Sequence, residues 1–493
     1  MRTEASSSRA GMPVTGSIGR FDPAVLALVG SLLLSLIAIL GVVTVGRDGA
    51  FYLDLARQAS EQGAEVAWAR FDWPWYSLLL AGTHGVLRLP LEYCAYLWST
   101  LFLAGTCALM VDVVRQRAPQ AAHWACLVVL AMPAMNEFRG DIIRESGFWF
   151  FCTLALWLAV RWQARGGWGL AAAISVAIVL GSLFRLEAVL LFGAILAWRL
   201  PDLLRAGQRQ RFAQIAWLPV LAGVAGGLAL LAWSGLEVRR LDYYIDLIRP
   251  SAMFGAFKQL SQQFADSLIN KYSANEAGRI IFIGLTGSLL LKCIGLMGPG
   301  AVAFASRRSW AAFAVYWREF RLAAIIGLLY FVVLMLFFIR TQFINGRYLS
   351  LLVLLLVPLL AVGLSLFSRS HPRLGKALVV VGLLVMLANV ISLGARKTHY
   401  IEAGHWVSAH TPANASIFYE DGRIAYYAGR GYELSELTRE AAMGPELVER
   451  YQYFVIEADA DEQWLQTWLL EHRQRILASF ANRKGDKMLV IGR

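Results

Sequence analysis

Long apolar runs recur along residues 23–394 of this chain and then stop. Most approach the roughly 20 residues that a helix needs to cross a bilayer. So many runs cannot all be core helices of a soluble domain. They suit hydrocarbon as solvent, where a helix satisfies its own backbone polar groups. Composition agrees. Hydrophobic residues make up 58% of the 493 and charged residues only 16%, and the mean hydropathy is +0.53.

Length and apolarity pick out eleven expected spans. They cover residues 24–45, 91–114, 121–135, 147–160, 168–184, 188–200, 215–233, 279–304, 322–339, 348–367 and 377–393. The formal net charge of +12 is distributed accordingly. Arg115 and Arg117, Arg161 and Arg165, Arg205, Arg209 and Arg211, Arg307, Arg308, Arg318 and Arg321, and Arg369, Arg373 and Lys376 fall on every second loop. Basic loops stay cytoplasmic, so the alternation predicts a cytoplasmic N-terminus and an outside C-terminus. It also explains the basic excess without nucleic acid, for which no folded basic reader domain is present. Cys94, Cys107, Cys126, Cys152 and Cys293 all lie in apolar segments without a CxxC pair. They read as small buried hydrophobes, not as disulfides or zinc ligands.

Three regions follow: a polar tail (1–22) expected to be disordered, the helical membrane region (23–394), and a small α/β domain (395–493). In the last, residues 399–410 read as a helix, 416–419 and 453–457 as strands, and 462–472 as an amphipathic helix. Residues 476–481 and 487–491 flank Lys484-Gly485-Asp486, a hairpin signal.

The polar clusters within the membrane region fall on one face, the outer one. Asp48 sits where the first span leaves the membrane, ahead of a helix that ends near Gly63. It suits an N-cap and equally a base that takes a proton from an attacking hydroxyl. Asp54 and Arg57 share a helical face and suit an internal ion pair. Arg70 precedes Asp72-Trp73-Pro74-Trp75; its planar guanidinium suits a phosphate or a solvated interface. Arg139, Asp141, Arg144 and Glu145 crowd the mouth of the fourth span, and Arg185 and Glu187 interrupt an apolar run. Ionisable groups at membrane depth are expensive and mark functional sites. Arg347 opens the tenth span on the same face. A transporter would place such groups at midplane, between broken helices. Clustering at one surface suits a lipid headgroup instead.

The stretch Arg47-Asp48-Gly49-Ala50-Phe51-Tyr52, continuing to Ala56-Arg57, resembles the first-loop motif of the GT-C membrane glycosyltransferases. The likeness is to the family-39-like group, which includes protein O-mannosyltransferases and the lipid A aminoarabinose transferase. Asp72-Trp73-Pro74, the Arg139–Glu145 stretch and Gly346-Arg347-Tyr348 are similar to later motifs of that group, with either Asp141 or Glu145 matching the second-loop acid. The resemblance implies a bundle of about eleven spans with a periplasmic C-terminal domain, in a bacterial inner membrane. It implies transfer of a sugar from a polyprenyl-phosphate donor to a glycan, lipid or protein acceptor. Asp48 would be the catalytic base. Tyr52, Asp54, Arg70, Asp72, Arg139, Asp141, Arg144, Glu145, Arg185, Glu187 and Arg347 would bind substrate. With no His cluster or compact DxD motif, no metal or other cofactor is expected. Two other readings remain: an O-antigen polymerase or ligase, which relies on Arg and His in a large outer loop, and a lipid-linked sugar flippase.

Overall fold

The computed structural model describes residues 21–205, 207–232, 246, 249–391, 394, 396–433 and 437–493. The N-terminal tail, apart from Phe21 and Asp22, lies outside them. Helix α1 (Pro23–Leu40) starts where the sequence can cap it. Asp22 accepts the Ala24 N–H at 2.8 Å, and Pro23 has no N–H to leave unsatisfied. The polar segment after it folds into α2 (Arg47–Gln62), α3 (Ala64–Arg70) and α4 (Trp75–Leu87). Gly63, at φ +99°, permits the sharp break between α2 and α3.

The bundle continues with α5 (Leu91–Arg117), α6 (Ala122–Ala131), α7 (Pro133–Asn136), α8 (Glu145–Arg165), α9 (Trp168–Phe184), α10 (Leu190–Arg199) and α11 (Arg209–Ala232). Helix α1 packs on α5 and α6, α5 on α8, and α8 on α9. Then come α12 (Pro250–Ser267), α13 (Ala277–Leu296), α14 (Ala311–Glu319), α15 (Arg321–Thr341), α16 (Gly346–Leu355), α17 (Val357–Ser370) and α18 (Pro372–Ala388).

Helix occupies each of the eleven apolar segments, but not always as one rod. The segment 121–135 is broken at Pro133, and the segment 188–200 opens with a tight 3-10 turn, Leu186–Val189. The segment 348–367 bends by 58° between α16 and α17, where Pro358 has no N–H to continue the ladder. Among the described residues four helices are long and apolar enough to cross a membrane: α1, α5, α13 and α15. Counting the bent pair as one span gives five. All five cysteines are buried free thiols.

The C-terminal domain is an α/β unit. Its sheet has the order β1 (Ile417–Tyr419), β2 (Tyr453–Glu457), β4 (Lys487–Gly492), β3 (Arg475–Ala481). Strands β1 and β2 are parallel, and the other pairs are antiparallel. Alternation divides the side chains between two faces. Val455 and Val490 pack with Tyr400, Ala403 and Val407 of α19 (Thr398–His410). Phe454, Ile456 and Leu489 pack with Leu465 and Leu469 of α21 (Gln463–Glu471). Between β1 and β2 lies α20 (Gly422–Tyr427), which lies against α2 of the bundle.

Candidate active site

Three helix starts converge at one end of the bundle. The N-cap of α2 is Gly46, so Asp48 lies inside the first turn and its side chain caps nothing; the capping expectation is corrected here. A carboxylate is favoured there by the helix dipole and remains free to act on something else. Its Oδ2 is ion-paired to Arg347. Arg347 sits in the first turn of α16, whose N-cap Asn345 accepts the Arg347 N–H at 3.3 Å. The Lys292 ammonium donates to the Ile344 carbonyl at 2.8 Å and holds the loop ahead of α16.

Glu145 is the first residue of α8 and is almost fully buried. It accepts a hydrogen bond from Arg185 at 2.7 Å and lies 3.7 Å from Arg347 Nε. Arg185 is also paired with Glu187, through Nε at 3.1 Å. Thus the two residues that interrupt the apolar run do face each other. Phe184 ends α9 and a 3-10 turn follows at Leu186, so helical spacing does not apply across them. The Arg185 guanidinium lies over the Tyr348 ring, 4.7 Å from its centroid. Arg144, the N-cap of α8, lies over Phe71 at 5.8 Å. Its Nε and one Nη are buried without a hydrogen-bond partner. Buried donors are rarely left so without a purpose. Three guanidiniums therefore surround one carboxylate, with donors to spare for an anion.

Asp141 lines a neighbouring cavity of about 300 Å³ between the end of α1, the turn at Glu137–Asp141 and the approach to the C-terminal domain at Arg396 and Lys397. Burial pushes its carboxyl above the ordinary range, opposed by the charge of Arg347. Tyr52 is buried at the foot of the site, its ring 5.3 Å from that of Tyr76.

Asp48, Tyr52, Asp141, Arg144, Glu145, Arg185, Glu187 and Arg347 thus come together. Four other candidates lie elsewhere. Arg139 is fully buried against α1, donating to the Ser31 carbonyl (3.1 Å), the Ser31 and Ser35 hydroxyls (2.9 and 3.0 Å) and Asn136 Oδ1 (2.7 Å). It ties the turn to α1. Asp54 is bound by Arg57 (2.8 Å), Gln58 (2.9 Å) and Arg70 (2.9 Å). Arg70 also donates to the Tyr432 carbonyl of the C-terminal domain at 2.9 Å. Burial alone would raise the Asp54 carboxyl, but the Tyr432 N–H, Arg57 and Arg70 outweigh it and hold it low. Asp54 and Arg70 thus tie α2 and α3 to the C-terminal domain. Asp72 is exposed between α3 and α4.

The sequence reading missed a clamp from the other domain. The Val45 N–H donates to the Tyr427 hydroxyl at 2.7 Å, and Arg47 Nε donates to Asp421 at 2.8 Å. Both contacts lie just ahead of Asp48. Arg47 and Asp421 stand 374 residues apart in sequence, so no local pattern links them.

An apolar helical bundle that gathers an acid and an arginine cluster at one end, with a small α/β domain set over them, is an architecture this chain shares with solved structures. ArnT from Cupriavidus metallidurans, in its apo state, superposes with a TM-score of 0.60 at 13% identity, over 95% of this chain and 97% of that one. The Archaeoglobus fulgidus oligosaccharyltransferase, in complex with Zn and sulfate, gives 0.57 at 13% identity, over 94% and 72%. The same enzyme tethered to an acceptor peptide containing the NVT sequon gives 0.52 at 12%, over 94% and 74%. At these identities the likeness is one of fold. No family model matches the chain, and no curated protein does.

Proposed function

We propose that this chain is a membrane glycosyltransferase that moves a sugar from a polyprenyl-phosphate donor to an acceptor, with Asp48 as general base. The observation that carries the reading is the juxtaposition of Asp48 with Arg144, Arg185 and Arg347. Asp48 uses Oδ2 for Arg347, which leaves Oδ1 for an acceptor hydroxyl. As that oxygen attacks the anomeric carbon, its proton passes to Asp48 and the bond from that carbon to the phosphate oxygen breaks. The departing lipid phosphate gains charge, and the guanidiniums stabilise it. Arg144 has unused donors for this. Glu145 and Glu187 hold Arg185 in place. The reaction so drawn uses no metal.

The reading also assigns eleven spans to the eleven apolar segments, with the bent α16–α17 pair as one. The N-terminus is placed in the cytoplasm and the C-terminal domain in the periplasm of a bacterial inner membrane. Charges gathered at one end of the bundle, rather than at midplane, favour a transferase over a flippase. The test is transfer from a synthetic polyprenyl-phosphate sugar by the purified protein. Asp48→Asn is expected to lower kcat by about 10²–10⁴-fold with normal thermal unfolding, and a chelator is expected to leave the wild-type rate unchanged. A folded Asp48→Asn protein with the wild-type rate would falsify the assignment.

A further inference from the structure

The other end of the bundle holds a second cavity, of about 210 Å³, lined by Arg199, Arg205, Arg318 and Arg321. It lies at the start of α15, whereas the Asp48 site lies beyond that helix's end. The 21 residues of α15 separate them by roughly 30 Å at 1.5 Å per residue. Two carboxylates, Asp202 and Glu319, also line it. Asp202 is ion-paired to Arg199, and Glu319 accepts from Arg318 Nε at 2.8 Å. Arg205 and Arg321 have no carboxylate partner among the described residues, and both are exposed. The positive excess of the lining thus stands on two unpaired guanidiniums.

The backbone adds to it. Arg321, Leu322 and Ala323 form the first turn of α15, and no side chain caps that turn. Their N–H groups have no partner within the helix, and all three residues line the cavity. Arg199 contributes an independent sign. It is nine-tenths buried in the lining, and its Nε has no hydrogen-bond partner. Its guanidinium rests over the rings of Trp198 (4.8 Å) and Trp162 (5.3 Å), the residue type that marks the headgroup level of a membrane. The short 3-10 helix that carries Asp202 exposes Leu200 and Leu204. Apolar side chains next to a cationic cavity match a ligand with an anionic head and a hydrocarbon tail.

We infer that this cavity binds the phosphate of an anionic phospholipid headgroup, on the membrane face opposite the Asp48 site. Arg205 and Arg321 supply the charge, the first turn of α15 supplies backbone donors, and Leu200 and Leu204 meet the acyl chains. Basic pockets between helices near a membrane surface recognise such headgroups. A phosphate ion shares the head chemistry but not the tail. Because α15 runs from this cavity to the loop that ends at Arg347, an occupant here would bear on the helix that leads to the other site.

Native mass spectrometry of the full-length protein, released from detergent containing either phosphatidylglycerol or phosphatidylcholine, tests the inference. Wild type should retain phosphatidylglycerol and not phosphatidylcholine. Each arginine near a lipid surface contributes about fivefold in affinity, so Arg205→Gln with Arg321→Gln should weaken retention by about 25-fold. If the double variant does not fold, Arg205→Gln alone should weaken it about fivefold. A parallel thermal-unfolding series with inorganic phosphate separates the sources. Stabilisation of wild type by phosphate alone, lost in the same variants, would assign the site to the free ion and keep its chemistry. Equal phosphatidylglycerol retention by wild type and the folded variants would overturn the inference.

Discussion

Arg139 and Arg144 stand five residues apart and look alike as sequence, yet their surroundings give them opposite roles. Arg139 donates through Nε and Nη1 to Ser31, Ser35 and Asn136 and leaves only Nη2 without a partner, whereas Arg144 leaves both its Nε and one Nη unused. Arg139→Ala should cost about 3 kcal/mol of stability, since it strands several buried acceptors. Any activity loss should then follow the folded fraction, read by circular dichroism on heating. Arg144→Gln should unfold like wild type and lower kcat by about 100-fold, the size of effect seen when one charge-stabilising donor is removed. If both variants lose activity only in step with unfolding, Arg144 has no place in the chemistry. The residue types and their clustering were legible beforehand. What each guanidinium touches was not, because Ser31 and Ser35 come from α1 and Phe71 from the end of α3.

At the scale of elements, the site depends on how closely α8 and α9 approach. A Cβ added to Gly147 would lie 2.3 Å from the Phe184 ring, so α8 must be glycine there to sit against α9. That contact sets Glu145, two residues before Gly147, against Arg185, the residue after Phe184. Gly147→Ala should cost about 1–3 kcal/mol through overpacking. It should also depress kcat more than KM, since it pulls Glu145 from Arg185; kinetics and unfolding on one preparation check both. Most helix and strand positions were readable from apolar runs, periodicity and turn residues. The hairpin around Gly485 formed as expected, with that glycine at φ +92°. The breaks at Pro133 and Pro358 were not anticipated. Hydropathy averages over a window and does not register one missing N–H.

The whole molecule is two units held together next to the site. Arg47–Asp421, Val45–Tyr427, Arg70–Tyr432 and the Tyr426 hydroxyl on Glu92 (2.9 Å) fasten the C-terminal domain to the start of α2, to α3 and to α5. Burial alone would raise the Asp421 carboxyl. Hydrogen bonds and charge from Arg423, with a hydrogen bond from Arg47, outweigh that and bring it to about 2, against an ordinary 3.8. Its folded value is depressed, so its contribution is present above pH 3.8 and is lost as the pH falls through about 2. The shift corresponds to about 2 kcal/mol, most of it from Arg423 within the same domain and the remainder from Arg47 across the contact. Amide hydrogen exchange at α2 should therefore quicken over that window, and Asp421→Asn should quicken it at neutral pH and flatten the response. Topology is open to an equally direct check. All native cysteines are buried, so a cysteine added after Arg493 should be the site labelled by an impermeant maleimide from outside intact spheroplasts. Labelling only after lysis would reverse the proposed orientation.

The sequence by itself determined that this chain belongs in a membrane, where its helices run, and that its ionisable residues gather at the mouths of those helices. Apolar length, Arg spacing and turn residues are local properties, and a local reading recovers them. Only the tertiary structure decided which of those residues share a site. Asp48, Glu145, Arg185 and Arg347 come from four separate segments, and the clamp beside Asp48 comes from another domain. Contacts over hundreds of residues are chosen by packing and by the cost of leaving a buried charge unpaired, and neither is written in any stretch of sequence read alone.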